Sequence, residues 1–363
     1  MRVAVVGPIE PFRSGVARHT TALARALARR AGIEVRVYSF SRQYPAWLFP
    51  GESDRASDAS VPRDLDASFS IDSLNPLSWV RVAGEIRAYC PELVIAPAWT
   101  FFLSPCLTTI LSKVRCPVVA VVHNVSDHDG GRVRSLISAM QLQRASAHVT
   151  HTRELAAGIT RIVPGAHVVV HPHPIFEYPA ARRTLPARAE LELLMFGLIR
   201  PYKGLDVLLE AVARCAKPSL MLSVVGESWQ GQASIRAQVE RLGLERKVEL
   251  VLRYVPDEEA AEYFERADVV VLPYRSVTGS GVLPLACHYG KPVVASDLPG
   301  FRELVYHGEN GWLVPPGDVA ELARTLAEEV DRSTAASMQP RIRQLRRELT
   351  FEHFAEAILG AID

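Results

Sequence analysis

The stretch from residue 269 to residue 296 constrains the fold of this chain more than any other. Its sequence is VVVLPYRSVTGSGVLPLACHYGKPVVAS. The β-branched run at residues 269–272 predicts a short strand buried on both faces, and Pro273 ends it. Two glycines then permit a sharp turn, residues 282–289 predict a helix, and residues 293–295 predict a second buried strand. This order is one unit of a parallel, doubly wound sheet.

The glycine-bearing turn in this stretch is suited to an anionic ligand. It consists of Thr278, Gly279, Ser280, Gly281 and Val282. The first N–H groups of a helix lack partners and lie at the positive end of the helix dipole, so we expect a phosphate or diphosphate here. The alternative is a turn that only packs helix on sheet, because neither GxxxxGK[ST] nor a GxGxxG after the first strand is present.

The composition limits the classes of protein to which this chain can belong. A chain of 363 residues favours two domains, and 48% hydrophobic residues supply enough apolar material for two cores. The net charge of +1 gives no reason to expect a nucleic-acid partner. The five cysteines are odd in number and show no CxxC spacing, which is typical of reduced thiols in the cytoplasm. The N-terminus begins directly with a strand, so we expect no signal peptide and a cytoplasmic location.

One segment has the length of a membrane span. Residues 93–111, LVIAPAWTFFLSPCLTTIL, are uncharged. Pro97 and Pro105 interrupt the segment, and its β-branched start favours a buried strand followed by a buried helix. Membrane contact is therefore expected to be peripheral at most, through the arginine-bearing first helix.

The chain alternates strands and helices in two runs. The first run has predicted strands at residues 2–7, 34–40, 93–96, 118–122, 148–151 and 168–170. Residues 41–75 interrupt it with a long polar insertion that either shapes a binding cleft or forms a surface loop. Residues 177–190, hydrophilic and proline-bearing, are interpreted as a linker. The second run has predicted strands at residues 191–196, 219–225, 248–252, 269–272 and 293–295.

These runs predict an α/β protein of two Rossmann-like, doubly wound domains facing each other across a cleft. The N-terminal domain is placed at residues 1–180. The C-terminal domain is placed at residues 190–347. An amphipathic final helix within residues 348–363 is expected to fold back toward the N-terminal domain. The sequence does not indicate an oligomeric state.

Several stretches resemble the family 4 glycosyltransferases, retaining enzymes of the two-domain GT-B fold. In the second half these are FGLIRPYKGLDVLLEAV, LRYVPDEEAAEYFERADVVVLPY, SGVLPLACHYGKPVVASDLPGFRELV and HGENGWLVPPGD. In the first half SGVARHT and VVHNV look like a bacterial branch of the same family. The resemblance implies transfer of a sugar from a nucleotide-sugar, bound by the C-terminal domain, to an acceptor bound by the N-terminal domain. It implies no cofactor and no metal.

The resemblance also assigns site residues. Lys203, in the motif PYKG, and Arg200 match the family's diphosphate-binding cations. His123 matches a histidine that lies against the donor sugar, where it would orient the sugar and stabilise an oxocarbenium-like transition state. The remaining donor-binding positions are Gly15, Tyr254, Val255, Thr278, Gly279, Ser280, Gly281 and Val282. For His19, one turn into the first helix, a site role and a plain surface position are both open.

Two departures from the family pattern put the donor contacts in question. The family's usual pair of glutamates falls on Val277 and Leu285, and its usual arginine falls on Leu198. One alternative is a weak or inactive protein that only binds a nucleotide-sugar. Another is a GT-B relative such as a sugar-nucleotide epimerase, although that chemistry needs carboxylates around the sugar.

The donor base and the acceptor are less defined. The resemblance implies that backbone groups near Tyr254 and Val255 hold the donor base. Backbone contacts leave no trace in the sequence, so the sequence does not distinguish a UDP-sugar from a GDP-sugar or another nucleotide-sugar. Arg42, Tyr44, Trp47 and Trp99 in the first half offer stacking and hydrogen bonds to an acceptor.

The tripeptides Asp127-His128-Asp129 and Asp64-Leu65-Asp66 match the DxD pattern of manganese-dependent transferases. Such matches are frequent by chance, and we predict that no metal takes part.

Overall fold

The computed structural model describes residues 1–45, 61–125, 132–228, 231–277 and 280–362. The chain divides into two compact units. The N-terminal unit consists of Met1–Pro174 and Phe351–Asp363, and the C-terminal unit is Ile175–Thr350. The segment interpreted as a linker, residues 177–190, therefore belongs to the C-terminal unit.

A parallel sheet forms the centre of the N-terminal unit. Its strands are β1 Arg2–Val6, β2 Glu34–Arg42, β3 Asp66–Asp72, β4 Leu93–Ala98, β5 Val118–Val122, β6 Ala147–Thr150 and β7 Val168–Val170. The accompanying helices are α1 Gly15–Ala28, α2 Pro76–Tyr89, α3 Ser104–Leu111, α4 Arg132–Leu142 and α5 Arg153–Ile162. The strand order is β3-β2-β1-β4-β5-β6-β7, so the direction of winding reverses between β1 and β4.

Strand β3 corrects the prediction for residues 41–75, which the sequence suggested were an insertion without regular structure. It pairs in parallel with β2, with Val37 opposite Ala67 and Phe40 opposite Ile71. Apolar and polar residues alternate only weakly along β3. It is an edge strand in which Ile71 is buried and the other residues are exposed or half-buried. An edge strand of this composition gives little periodic signal in the sequence.

The uncharged segment at residues 93–111 folds as predicted from its prolines. It contains the fully buried strand β4 and then helix α3, which has Pro105 in its first turn. Among the described residues, no helix combines the length and the apolar character that crossing a membrane would require.

A second parallel sheet forms the centre of the C-terminal unit, in the order β10-β9-β8-β11-β12-β13. Its strands are β8 Leu191–Phe196, β9 Leu220–Val225, β10 Val248–Val251, β11 Val269–Leu272, β12 Val293–Ser296 and β13 Gly311–Val314. Its helices are α6 Leu205–Arg214, α7 Gln232–Arg241, α8 Asp257–Arg266, α9 Val282–His288, α10 Pro299–Arg302, α11 Val319–Glu328, α12 Arg332–Ser337 and α13 Gln339–Glu348. The winding reverses between β8 and β11.

The stretch from residue 269 to residue 296 forms β11, α9 and β12, as its pattern predicts. Every residue of β11 and β12 is buried, which explains the continuous β-branched sequence. Strand β13 was not predicted from the sequence. It begins at Gly311, where a Cβ would lie 2.4 Å from the carbonyl oxygen of Val293.

The final helix, α14 Phe351–Gly360, belongs to the N-terminal unit and packs on α1. Phe354, Ala355 and Ile358 on its apolar face are fully buried. Arg29 and Arg30 form exposed ion pairs with α14, which contribute little beside this apolar contact. Phe354 of helix α14 packs against His19 and His151 of the N-terminal unit.

Candidate functional site

Lys203 lies at the carboxyl edge of the second sheet, where the winding reverses. It ends a short 3-10 turn, Pro201–Lys203, that connects β8 to α6, and it is 7% exposed. Its ammonium group lies 5.5 Å from the ring centre of Tyr274, which follows β11. A Cβ on Gly197 would be 3.2 Å from Nζ, so the glycine leaves room for the ammonium group. Ligands of doubly wound proteins bind at this position of the sheet.

The electrostatic surroundings of Lys203 favour an anion. Burial lowers the pKa of Lys203 to about 8, and the nearby Arg200 lowers it as well. No described carboxylate contributes to this pKa. A buried ammonium group beside a second cation is unfavourable until an anion neutralises the ammonium group, so the surroundings of Lys203 are suited to a phosphate or diphosphate oxygen.

Arg275 holds the turn that carries Lys203. Its guanidinium donates to the two carboxylate oxygens of Asp206 at 2.8 and 2.6 Å. It also donates to the carbonyl oxygen of Pro201 at 3.0 Å, and its backbone N–H donates to the carbonyl of Tyr202 at 2.7 Å. Arg275 thus positions Lys203. Sequence reasoning missed it, because Asp206 is 69 residues away along the chain.

Two glycines allow the backbone to pack closely at this edge. Gly204 has φ +69°, and a Cβ there would lie 2.1 Å from the carbonyl oxygen of Pro273. Gly226 has φ +145°, and a Cβ there would lie 2.1 Å from the carbonyl oxygen of Gly197. The turns after β8, β9 and β11 are therefore in direct contact.

The predicted glycine turn is described in part. Thr278 and Gly279 lie outside the described residues. The hydroxyl of Ser280 is buried, and it lies close enough to the phenol of Tyr274 to lower the pKa of that group. Burial dominates at Tyr274 and raises its pKa. Gly281 precedes α9, which starts at Val282 and has no side-chain cap.

The positions of the missing glutamate pair are apolar contacts. Val277 packs on α10, where a Cβ on Gly300 would be 3.1 Å from Cγ1 of Val277. Leu285 is 5% exposed and belongs to the core of the C-terminal unit. Neither position places a carboxylate at the site. Tyr254 and Val255 follow β10, the first 60% exposed and the second buried.

His123 is part of a cluster of imidazoles in the N-terminal unit. It directly follows β5, and its ring centre lies 4.7 Å from that of His19 and 5.3 Å from that of His151. His19 is 1% exposed, so a plain surface position for His19 is wrong. Its burial follows from its place on the face of α1 that packs against the sheet and α14. Burial lowers the pKa of His123 to about 3, with a smaller effect of His173.

The other predicted residues of the N-terminal unit differ in their contacts. Gly15 is the exposed first residue of α1, after the capping residue Ser14, and a Cβ on Gly15 would meet no atom of a described residue within 4 Å. No close packing therefore requires a glycine at this position.

The Trp99 indole donates to the Tyr44 hydroxyl at 3.2 Å, so the structure brings these two candidate acceptor residues together.

The remaining candidates of this unit either form ion pairs with neighbouring side chains or lie outside the described residues. Arg42 is bound by the carboxylate of Asp72. In the first DxD match, Asp64 pairs with Arg25 and Asp66 pairs with Arg36, each at 2.7 Å. Trp47 and the second match, Asp127-His128-Asp129, lie outside the described residues.

Comparison with known proteins places these features in a family. A profile described as Glycosyltransferase Family 4 matches residues 13–176, and one described as Glycosyl transferases group 1 matches residues 190–331. The chain belongs to glycosyltransferase family 4. The matches cover both units and include the turn of Lys203 and the strand before His123.

The sequence relatives of this family 4 chain match about half of it, whereas solved structures resemble it over its whole length. It is 32% identical over 199 residues to a GDP-mannose:glycolipid 4-beta-D-mannosyltransferase from Xanthomonas campestris pv. campestris, which is 52% of this chain and 54% of that protein. The chain thus spans about half the length of the curated relatives it matches. Over its whole length it resembles the sucrose-phosphate synthase of Thermosynechococcus elongatus, with a TM-score of 0.72, 20% identity and 98% of that chain covered.

The structure of Anabaena Alr3699/HepE in complex with UDP is equally similar, with a TM-score of 0.72 and 18% identity over 100% of this chain and 99% of the other. These likenesses confirm the predicted fold class, two parallel-sheet α/β domains of the GT-B type.

Sequence reasoning on this family 4 chain did not find Gly197, Tyr274, Arg275, His151 and His173. Each is recognisable only from what the folded chain places beside it.

Proposed function

We propose that this protein transfers a sugar from a UDP- or GDP-sugar to a hydroxyl group of a sugar, glycolipid or small-molecule acceptor, with retention of the anomeric configuration. The observation that carries the proposal is Lys203, a buried cation that lacks a described counter-ion at the switch point of the second sheet. Family membership supports the reaction class. Sequence and structural relatives support the donor class, because one is named for GDP-mannose and another was solved with UDP.

The transfer breaks the bond between the anomeric carbon and the diphosphate oxygen and forms one to the acceptor oxygen. The hydroxyl proton of the acceptor leaves with the nucleoside diphosphate. Negative charge grows on the departing diphosphate, and Lys203 with Arg200 stabilises it as it develops. Cations fixed before the reaction need no rearrangement in the transition state.

His123 has a different role in this proposal. An imidazole whose pKa burial lowers to about 3 is neutral at pH 7 and a weak base. It therefore orients the sugar through one ring nitrogen and does not remove a proton. The acceptor is bound in the N-terminal unit, where Tyr44 and Trp99 offer an aromatic surface with a hydroxyl group.

A second candidate function, binding of a nucleotide-sugar without transfer, is favoured by Val277 and Leu285. A thermal-shift screen of UDP- and GDP-sugars tests both candidates, since a ligand at about 100 times its Kd stabilises a protein by about 2.7 kcal/mol. We expect one class of donor to raise the melting temperature and to be slowly hydrolysed when incubated with the protein. Binding without hydrolysis or transfer would support the second candidate, and the absence of any shift would overturn both.

Donor binding should depend on pH through Lys203. The folded pKa of about 8 lies below the ordinary value of 10.5, so the free site carries its charge only below about pH 8. We expect the Kd to be constant up to about pH 8 and to rise by up to about tenfold per pH unit above it. Calorimetric titrations between about pH 7 and about pH 9.5 measure this. A Kd that stays flat across this range contradicts contact between Lys203 and the diphosphate.

The reaction should proceed without a divalent cation at the diphosphate, because Lys203 and Arg200 supply the positive charge. Turnover in EDTA is expected to equal turnover in untreated buffer, and added Mn²⁺ is expected to leave it unchanged. The measurement is the initial rate of nucleoside diphosphate release. Loss of activity in EDTA that Mn²⁺ restores would overturn this part of the proposal.

Retention is tested by NMR of the product, because the two anomers differ in the coupling of the anomeric proton or carbon. We expect the configuration of the donor to be kept. The Xanthomonas relative is named for a beta linkage, so the anomer formed by this protein has to be measured. A product anomer opposite to that of the donor would replace retention by inversion and leave the proposed transfer in place.

A further inference from the structure

Three imidazoles of the N-terminal unit have the spacing of metal ligands. One ring nitrogen from each of His19, His123 and His151 lies within 4.8 Å of the others. The three ring centres are 4.7, 5.0 and 5.3 Å apart. With Zn–N bonds of about 2.1 Å, a tetrahedral zinc ion holds the centres of its imidazole ligands roughly 5 Å apart. The ring centres therefore already have the separation that a bound ion requires, and the ligand nitrogens, which lie within 4.8 Å of one another, would come together to about 3.4 Å.

Two of these residues present a buried nitrogen with no hydrogen-bond partner among the described residues. These atoms are Nε2 of His123 and Nε2 of His151. Leaving a buried polar atom unpaired costs about 1–3 kcal/mol, so such atoms call for an explanation such as a bound ion. Coordination would satisfy both atoms at once.

The second nitrogen of His151 supports the same assignment. Nδ1 lies 3.1 Å from the carbonyl oxygen of His171. A carbonyl can only accept, so Nδ1 carries the hydrogen and Nε2 keeps its lone pair. Histidines that bind metals typically donate their other N–H to a backbone carbonyl or carboxylate in this way, which fixes the tautomer and the direction of the ring.

Rigid elements hold the three rings. His123 and His151 directly follow the adjacent strands β5 and β6, and His19 lies within α1. Phe354 of α14 is fully buried, with its ring centre 5.1 Å from that of His19 and 5.3 Å from that of His151. A site built on strand ends and a helix, under an apolar cover, is preorganised for an ion.

A fourth imidazole packs beside the cluster. The ring centre of His173 lies 4.8 Å from that of His151 and 5.3 Å from that of His19.

We propose that His19, His123 and His151 form a binding site for a transition-metal ion, Zn²⁺ in the first place. Ligands that are all imidazoles suit Zn²⁺ and its later first-row neighbours, whereas Mg²⁺, Ca²⁺ and Mn²⁺ prefer oxygen. The ion joins β5, β6 and α1 and is not the counter-ion of the diphosphate. The inference rests on the N-terminal unit alone and does not depend on the proposed function.

The test uses the full-length chain without an affinity tag, because tag histidines bind the same metals. The protein is stripped with a chelator and titrated with Co²⁺, whose visible absorption becomes intense in a tetrahedral nitrogen environment. We expect a spectrum that saturates at one equivalent per chain and is displaced by one equivalent of Zn²⁺. Zn²⁺ should also raise the melting temperature of the stripped protein.

Variants assign the site to its residues. His151→Gln and His123→Gln are each expected to weaken Co²⁺ binding by more than about 100-fold, since even the loss of a group that supports a ligand typically weakens metal binding 10- to 100-fold. His167→Gln is the matched control, because His167 is an exposed imidazole of the same unit and should leave the titration unchanged. Circular dichroism checks that each variant folds.

Two results would overturn the proposal. One is a wild-type protein that gives no tetrahedral Co²⁺ spectrum and no stabilisation by Zn²⁺, a result that needs no variant. The other is a spectrum that folded His151→Gln retains or that His167→Gln removes, since the ion would then be bound by surface histidines.

Discussion

Lys203→Met is expected to abolish tight nucleotide binding and, at the same time, to stabilise the empty protein. The methionine side chain fills nearly the same space but removes the charge that a diphosphate would meet. Losing one partner of a buried, charge-assisted contact typically costs 2–5 kcal/mol, so we expect binding to weaken by about 2–4 kcal/mol, or about 30- to 1,000-fold. Calorimetric titration with UDP, GDP and the donor found by the thermal screen measures this loss.

The gain in stability follows from the pKa of Lys203. Its shift from 10.5 to about 8 means that holding the charged form in the folded protein is unfavourable. At about 1.4 kcal/mol per pKa unit, removing the charge is worth roughly 3 kcal/mol at most. Because the folded pKa is the lower one, this penalty is fully present below about pH 8 and disappears as pH rises toward 10.5.

The advantage of Lys203→Met in urea denaturation should therefore be present at pH 7 and vanish at high pH. Lys291→Met is the matched control. Burial also lowers the pKa of Lys291, but Asp268 and Glu265 oppose that effect, and Lys291 lies before β12 at the amino edge of the sheet. Its substitution should leave nucleotide affinity unchanged. If Lys203→Met binds nucleotides like the wild type, or is less stable at pH 7, Lys203 is a structural residue and the site lies elsewhere.

The fold was largely predictable from the sequence because a parallel sheet buries its strands on both faces. Continuous β-branched runs such as VVAVV in β5 and VVVL in β11 carry that signal locally. The strands that the sequence did not reveal are β3, an edge strand with little buried surface, and β13, which begins at a glycine. Their position depends on pairing with β2 and β12, and a local pattern does not contain that information.

The candidate site was predictable only where a motif marked it. Lys203 and Arg200 belong to a contiguous motif, and the structure adds that Lys203 is buried. The residues that hold the turn, Asp206 and Arg275, are joined only by the fold. The histidines also come from separate elements, so no spacing along the chain indicates that His19 and His151 meet. Long-range contacts of this kind require the sheet order before they can be inferred.

Gly204→Ala is expected to destabilise the C-terminal unit by more than about 3 kcal/mol and to remove nucleotide binding with it. Gly204 follows Lys203 with φ +69°, a conformation that costs a residue with a side chain about 1 kcal/mol. The steric clash costs more, because the new Cβ would lie 2.1 Å from the carbonyl oxygen of Pro273. Backbone must move to relieve that contact, and the moving segment carries Lys203.

Gly243→Ala separates the steric cost from the conformational one. Gly243 has nearly the same backbone conformation, φ +66°, but a Cβ there would meet no atom within 4 Å in the part of the chain that the structure describes. Its substitution should therefore cost only the conformational strain of about 1 kcal/mol and leave nucleotide affinity at the wild-type value. Urea midpoints and calorimetric titrations of both variants give the comparison. Equal destabilisation by the two alanines would mean that close packing of the β8 and β11 turns does not position Lys203.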